Sequence, residues 1–369
     1  MQVYYSMMIW ILIVGCAAEF CPHIAYKFNV KEKRRQVRFG IALFTMAYII
    51  IIVGLRSGVG DTPAYIKMFD EAPMKFSFAA LENYEKDQGY FALSILFKQF
   101  ISTDFHLWFL LIAAVSGCAV AYTLYKYSEN FFFSMFLFIA MVHFVWMLNG
   151  MRQFIAVSIL FAATKFLVEK KFLKYLILVL LVSTIHVTAL IMIPVCFIVM
   201  ARPWGKIMWI AVAAFLLVGL SLDRIANTWS FLLEDSAYEG YLEVAASSAG
   251  SDILRSVVAI APPLFALLCK RYTNQARDNR VLNISIIMSV LSAVTYLCSS
   301  FSGGVLIGRL PIYFDMYNLL LLPWLVKNVF NKRSQIVVYL VLVVCYFAFF
   351  YFKAVYGLGL TYISDIFPI

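Results

Sequence analysis

The sequence predicts an all-α, polytopic integral membrane protein, and three observations predict it. Of 369 residues, 63% are hydrophobic and only 14% are charged, whereas soluble domains carry about 25% charged residues. Apolar runs long enough to cross a bilayer recur from one end to the other. These runs do not alternate: FLLIAAVSGCAVAYTLY has no period of two, which excludes a transmembrane barrel.

The first residues, MQVYYSMMIW, lack a basic segment, and no small-residue cleavage site follows, so the first run is expected to stay as a span. Spans are predicted at 3–20, 39–55, 105–125, 131–149, 153–168, 207–222, 253–269, 281–300, 310–326 and 335–352. The stretch 172–200 needs separate treatment. As one helix it measures roughly 43 Å, against a hydrocarbon core of about 30 Å. It either tilts and crosses once, or breaks near 183–186 and crosses twice.

Charge placement decides. The basic segments 27–38, 126, 165–174, 202–206, 270–280 and 327–333 hold 20 of the 30 Lys and Arg. All of them share one side only if 172–200 turns back, and the positive-inside rule makes that side the cytoplasm. The expectation is therefore about 12 crossings, including a short hairpin at 172–200, with both termini periplasmic. Residues 1–369 form a single membrane domain in this reading, with outer segments at 56–104 and 223–252. The net charge of +10 belongs to the cytoplasmic loops, which argues against nucleic acid as a partner. The seven cysteines lie mostly in apolar runs without metal-ligand spacing.

This topology gathers the unusual polar residues at one face. Arg56 ends the second span, Arg152 opens the fifth, His186 marks the hairpin turn, and Arg309 opens the eleventh. An arginine at mid-membrane costs about 2.5–3.5 kcal/mol, so such residues lie at ends, are paired, or work. Arg56 reads as a snorkelling anchor or as part of a site. Arg152 and Arg309 each stand in the first turn of a span, where the helix dipole repels a cation. Each follows glycine, and a loosened helix start with a guanidinium is suited to an anion such as diphosphate. The other reading is a salt bridge to a carboxylate such as Asp61, Asp104 or Asp315. His186 reads as a helix-to-helix hydrogen bonder or, with an ordinary pKa near 6.5, as a proton acceptor. Asp61 either opens a short helix over 63–69 or supplies a carboxylate to the same outer pocket, with Tyr65 four residues on. No nucleotide-binding fingerprint and no metal-ligand cluster is present, so no cofactor and no metal is expected, and any substrate must arrive already activated.

Three segments carry a family resemblance. GLRSGVGDTPAYIKMF resembles the G-L-R-x-G-V-G-x-D-x-x-x-Y stretch of EpsG-type O-antigen or exopolysaccharide polymerases, the Wzy proteins. GMRQFIAVSILFAATKFLVEKKFLKYLILVLLVSTIHVTALIMIP is similar to that family's R-Q-x-x-A helix, basic turn and His-centred hairpin, and GRLPIYF to its late Arg element. Two places depart from the pattern. Asp61 is displaced by one position, and the family's Glu-x-Gly-Tyr/Phe reads EKDQGYFAL here, with Asp87 or Glu85 as stand-ins.

The resemblance implies a glycosyltransferase of the bacterial inner membrane. It moves a growing glycan from undecaprenyl diphosphate onto a lipid-linked repeat unit at the periplasmic face. Arg56, Arg152 and Arg309 would steady the diphosphate and His186 would act as general base, with Asp61 as alternative base or as an orienting group. Gln153, Tyr65 and Tyr313 would bind diphosphate or sugar, and Tyr238 and Tyr241 would stack on sugar rings. Membrane lipid, a chain-length co-polymerase and a flippase are the implied partners. A lipid-linked oligosaccharide flippase and an O-antigen ligase remain alternatives.

Overall fold

The computed structural model describes residues 1–29, 34–228, 253–301, 308–358 and 361–367. Tyr238 and Tyr241 lie outside the described residues, as does most of the outer segment at 223–252. The fold is mostly helical, as expected for a polytopic membrane protein. Among the described residues, five helical stretches are long and apolar enough to cross a membrane: Gln2–Phe20, Phe105–Tyr127, Met151–Val168, Arg280–Phe301 and Lys332–Ala354. Shorter apolar helices accompany them.

The chain forms two compact units, Met1–Leu190 with Lys332–Ile369, and Ile191–Asn331. The first unit opens with α1 (Gln2–Phe20) and α2 (Pro22–Ala25). A basic stretch then pairs as an antiparallel hairpin, β1 (Tyr26–Asn29) with β2 (Arg34–Val37), Tyr26 facing Val37. Next come α3 (Phe39–Gly54), α4 (Thr62–Glu71), α5 (Phe78–Glu82), α6 (Gln88–Phe100) and α7 (Phe105–Tyr127). Helices α3 and α7 approach closely where Gly54 faces the Leu110 backbone, since a Cβ there would lie 2.7 Å from the Leu110 Cα.

Helix α4 is the short amphipathic helix expected after Asp61. Its C-terminal end is closed by Lys98, whose ammonium donates to the carbonyls of Phe69, Asp70 and Ala72 at 2.8–3.0 Å. The run at 131–149 is divided into α8 (Phe131–Ala140) and α9 (Val145–Leu148). It is followed by α10 (Met151–Ala162), α11 (Thr164–Val168) and α12 (Phe172–Ser183). The stretch 172–200 does break at 184–186, continuing as a 3-10 turn (Val187–Ile191) and α13 (Met192–Ile198).

Both chain ends lie at the Arg56 end of the first unit. The Tyr4 ring packs on Phe144 and edge-on to Tyr362, with centroids 5.4 and 6.5 Å apart. The Tyr362 hydroxyl donates to the Ile52 carbonyl at 2.8 Å. Ser57 N–H donates to Ile363 O at 2.9 Å, and Gly58 and Ile363 form a β-bridge. The tail is thus strapped onto the loop that carries Arg56.

The second unit contains α13, α14 (Lys206–Thr228), α15 (Ile253–Leu268), α16 (Lys270–Gln275), α17 (Arg280–Phe301), α18 (Ile312–Asp315) and α19 (Asn318–Val329). Its buried Asp315 accepts from Ser292 Oγ at 3.0 Å and Asn318 Nδ2 at 2.7 Å. The first unit is completed by α20 (Lys332–Tyr351).

Candidate functional site

Three pieces of chain, far apart in sequence, meet in the first unit. They are the start of α6, the start of α10, and the turn that follows α12. Gly150, at φ 87°, breaks the chain before α10, so Arg152 and Gln153 occupy the first helical turn. Asp87 takes the N-cap position of α6 in a left-handed conformation (φ 56°), which aspartate tolerates better than most residues. Its side chain does not cap its own helix. The carboxylate instead reaches the other two segments.

Asp87 Oδ2 accepts from Arg152 Nη1 at 2.9 Å and lies 3.2 Å from His186 Nδ1. Its Oδ1 takes a longer bond, 3.4 Å, from the Val187 N–H. The turn is held against α6 independently, because Gly89 N–H donates to Thr184 O at 2.8 Å. A side chain at residue 89 would overlap Thr184, so glycine is what permits this approach. The Asp87 side chain is 5% exposed, that of His186 12% and that of Arg152 21%. The carboxylate is therefore internal, while the imidazole and the guanidinium both reach the surface.

Arg152 also interacts with the Tyr65 hydroxyl from α4, and its guanidinium carbon lies 5.9 Å from the Tyr90 ring centroid. Burial pushes the Tyr65 hydroxyl above its ordinary range, with the Arg152 cation pulling the other way. Gln153 is buried and donates to Thr188 Oγ1 at 3.4 Å, tying α10 to the same turn.

Arg56 is wholly buried. Its Nε donates to Thr62 Oγ1 at 2.9 Å, Nη1 to Val53 O at 2.6 Å and Nη2 to Leu148 O at 3.4 Å. Its guanidinium carbon is 4.6 Å from the Phe109 ring centroid. Desolvation lowers its pKa to about 10, which leaves it cationic at neutral pH. Among the described residues no carboxylate pairs with it.

The remaining candidates are placed as follows. Asp61 is exposed beside this loop, its N–H donating to Asn149 Oδ1 at 3.2 Å. Arg309, half-buried, and Tyr313, buried, belong to the second unit. Of the carboxylates weighed from sequence as partners for arginine, Asp104 bonds His106, and Asp315 bonds Ser292 and Asn318. The partner of Arg152 is Asp87. A second acid–base pair, Asp104 Oδ1 to His106 Nδ1 at 3.3 Å with His106 Nε2 3.2 Å from Ser57 Oγ, is engaged in the tail strap, since Ser57 Oγ also accepts the Asp365 N–H. Among the described residues, no three His, Cys, Asp or Glu side chains gather to hold a metal.

The residue that sequence reasoning underrated is Asp87. Its signal was there in EKDQGYFAL, as an acid two residues before a Gly-Tyr helix start, but nothing local separates it from Glu85.

No curated protein and no solved structure gives a significant match to this chain. A family model does match, over residues 38–365, a range that takes in the Arg56 loop, α6, α10 and the His186 turn. The chain belongs to the EpsG family, whose members are in general membrane-embedded, glycosyltransferase-like polysaccharide polymerases.

Proposed function

We propose that the protein is a surface-polysaccharide polymerase that transfers a growing glycan from undecaprenyl diphosphate onto the next lipid-linked repeat unit at the periplasmic face of the bacterial inner membrane. The observation that carries this reading is the convergence of Arg152 and His186 on one carboxylate, inside a chain of the EpsG family. A proton acceptor and an oriented cation side by side are what a glycosyl transfer from a diphosphate requires.

In this mechanism the acceptor hydroxyl attacks the anomeric carbon of the donor sugar. The bond from that carbon to the diphosphate oxygen breaks, and undecaprenyl diphosphate leaves with the electron pair. His186 takes the hydroxyl proton. Arg152 stabilises the charge developing on the leaving group, with donors beyond the one used on Asp87 available to it. Tyr65 and Gln153 line the same cluster as substrate contacts. Arg309 and Tyr313 are assigned to diphosphate, and Tyr238 and Tyr241 to sugar, on sequence grounds. Asp61, exposed beside the Arg56 loop, is assigned to sugar hydroxyls.

The test is the size distribution of surface glycan from a deletion strain, with and without the restored gene. A polymerase leaves single repeats on their acceptor in the deletion strain and a ladder on restoration. No repeat reaching the acceptor would point to a flippase or ligase and refute the reading.

A further inference from the structure

We propose that Asp87 is a positioning residue of this site: one carboxylate oxygen holds His186 through Nδ1 and Arg152 through Nη1, leaving His186 Nε2 as the proton-accepting atom at a fixed place beside the cation. The reaction it serves rests on the polymerase reading above; the geometry does not.

A carboxylate accepts hydrogen bonds and donates none, so the 3.2 Å contact between Asp87 Oδ2 and His186 Nδ1 requires the hydrogen on Nδ1. The neutral ring then carries its lone pair on Nε2. Among the described residues Nε2 has no protein partner, which leaves it open to a substrate hydroxyl. This is the arrangement by which an acid fixes the tautomer of a general base and stabilises the imidazolium once the proton has moved.

The placement does not depend on the carboxylate alone. The Asp87 carbonyl begins α6 by accepting from Tyr90 N–H at 2.8 Å. The Gly89–Thr184 bond and the Val187 bond to Oδ1 then dock the His186 turn on that helix start. Among the described residues, Asp87 from α6 bonds the ring, and Arg152 from α10 shares the same carboxylate oxygen. Tyr65 of α4 and Tyr90 of α6 lie around the guanidinium.

Two measurements on the full-length protein in lipid test this. In protein labelled with ¹⁵N-histidine, which has four histidines, His186→Gln assigns the His186 ring signals. The neutral wild-type ring is expected with its hydrogen on Nδ1, and Asp87→Asn is expected to mix the tautomers. In polymerisation assays Asp87→Asn should lower turnover about 100-fold. A merely structural Asp87 would reduce the folded fraction and leave the tautomer of the folded protein unchanged. Should Asp87→Asn fail to fold, Asp87→Glu is read the same way, keeping the Nδ1 hydrogen if the proposal holds. A wild-type ring with its hydrogen on Nε2, or an unmixed Nδ1-hydrogen ring in folded Asp87→Asn, overturns the proposal. Full activity in His186→Gln would instead remove the polymerase role of His186 while leaving the tautomer result intact, so the two failures are distinguishable.

Discussion

Replacing Arg152 separates its two possible duties, holding Asp87 and binding an anion. The Asp87 side chain is 5% exposed and takes a 2.9 Å bond from Arg152. Removing one partner of a buried ion pair costs about 3–5 kcal/mol. Here the guanidinium is 21% exposed, and His186 remains on the same oxygen. Arg152→Ala is therefore expected to lose about 2 kcal/mol of stability, read as a melting point lowered by a few degrees in detergent or lipid. Arg152→Lys keeps a charge for Asp87 and should lose less than about 1 kcal/mol. Lysine cannot present the planar fork, however, and its polymerisation rate should fall about 10²–10³-fold, close to that of the alanine variant. The pair Asp87→Asn with Arg152→Ala should melt closer to wild type than Arg152→Ala alone, since asparagine tolerates the left-handed backbone and no orphaned carboxylate remains. Rates measured on lipid-linked repeats in proteoliposomes, beside melting curves, give both readouts. A full-length ladder at wild-type rate from Arg152→Lys would refute the anion-binding role and leave Arg152 as a structural partner of Asp87.

Gly89→Ala forces a methyl group into Thr184; it should cost about 1–3 kcal/mol and shorten the glycan ladder, and an unaltered melting curve would show that the turn adapts without cost. Deleting the tail from residue 361 onward removes the Tyr362–Ile52 bond and the pairing of Ile363 with Ser57 and Gly58. The truncated chain should melt lower and polymerise less, whereas Tyr362→Phe alone should lose about 1 kcal/mol; wild-type behaviour of the truncation would deny the strap any role. Compartment-sensitive reporters fused at both ends should signal one and the same side, because Tyr4 and Tyr362 meet, and a reporter inserted at 202–206 should signal the cytoplasm. Opposite signals from the two ends would contradict the packing of α1 against the tail.

Charge and hydropathy were sufficient to read the membrane class, the short helix after Asp61 and the break in 172–200, because each is written locally. The break in particular followed from a length beyond one untilted crossing together with basic segments that share one side only if the stretch turns back. The partner of Arg152 was not legible in this way. Asp87 lies on a turn with no marked periodicity, and its role comes from a left-handed backbone that aims the carboxylate away from its own helix. Contacts with segments 65 and 99 residues further along then complete it. The hairpin at β1 and β2 was hidden for another reason: its strands are short and rich in charge, where composition indicates a solvated loop. Arg56 could be placed at the end of a span, but its complete burial depends on Phe109, Leu148 and Thr62 closing around it. No local pattern announces such closure.

Arg56 also raises a question of charge balance, which a single substitution can answer. Arg56 and Arg152 both interact with Tyr65 and Tyr90, so the two cations share one neighbourhood. Of the two arginines Asp87 pairs only with Arg152, which leaves the Arg56 charge uncompensated by any carboxylate among the described residues. A buried unpaired cation carries several kcal/mol of desolvation cost, and in a weakly screened interior its field reaches well beyond contact distance. Arg56 is wholly enclosed and cannot touch a ligand without rearrangement; under the proposed function it would act on an anion through this field. Arg56→Met, similar in length and apolar, removes the desolvation cost together with three hydrogen bonds to oxygen worth about 1.5–3 kcal/mol each and a weaker one to Met151 Sδ. These changes oppose each other, so the melting point should stay near wild type while the ladder shortens and the KM for the lipid diphosphate donor rises. If Arg56 served only as an anchor, a Met variant of wild-type stability would also polymerise normally. That result would leave Arg152 as the sole cation of this cluster acting on the donor.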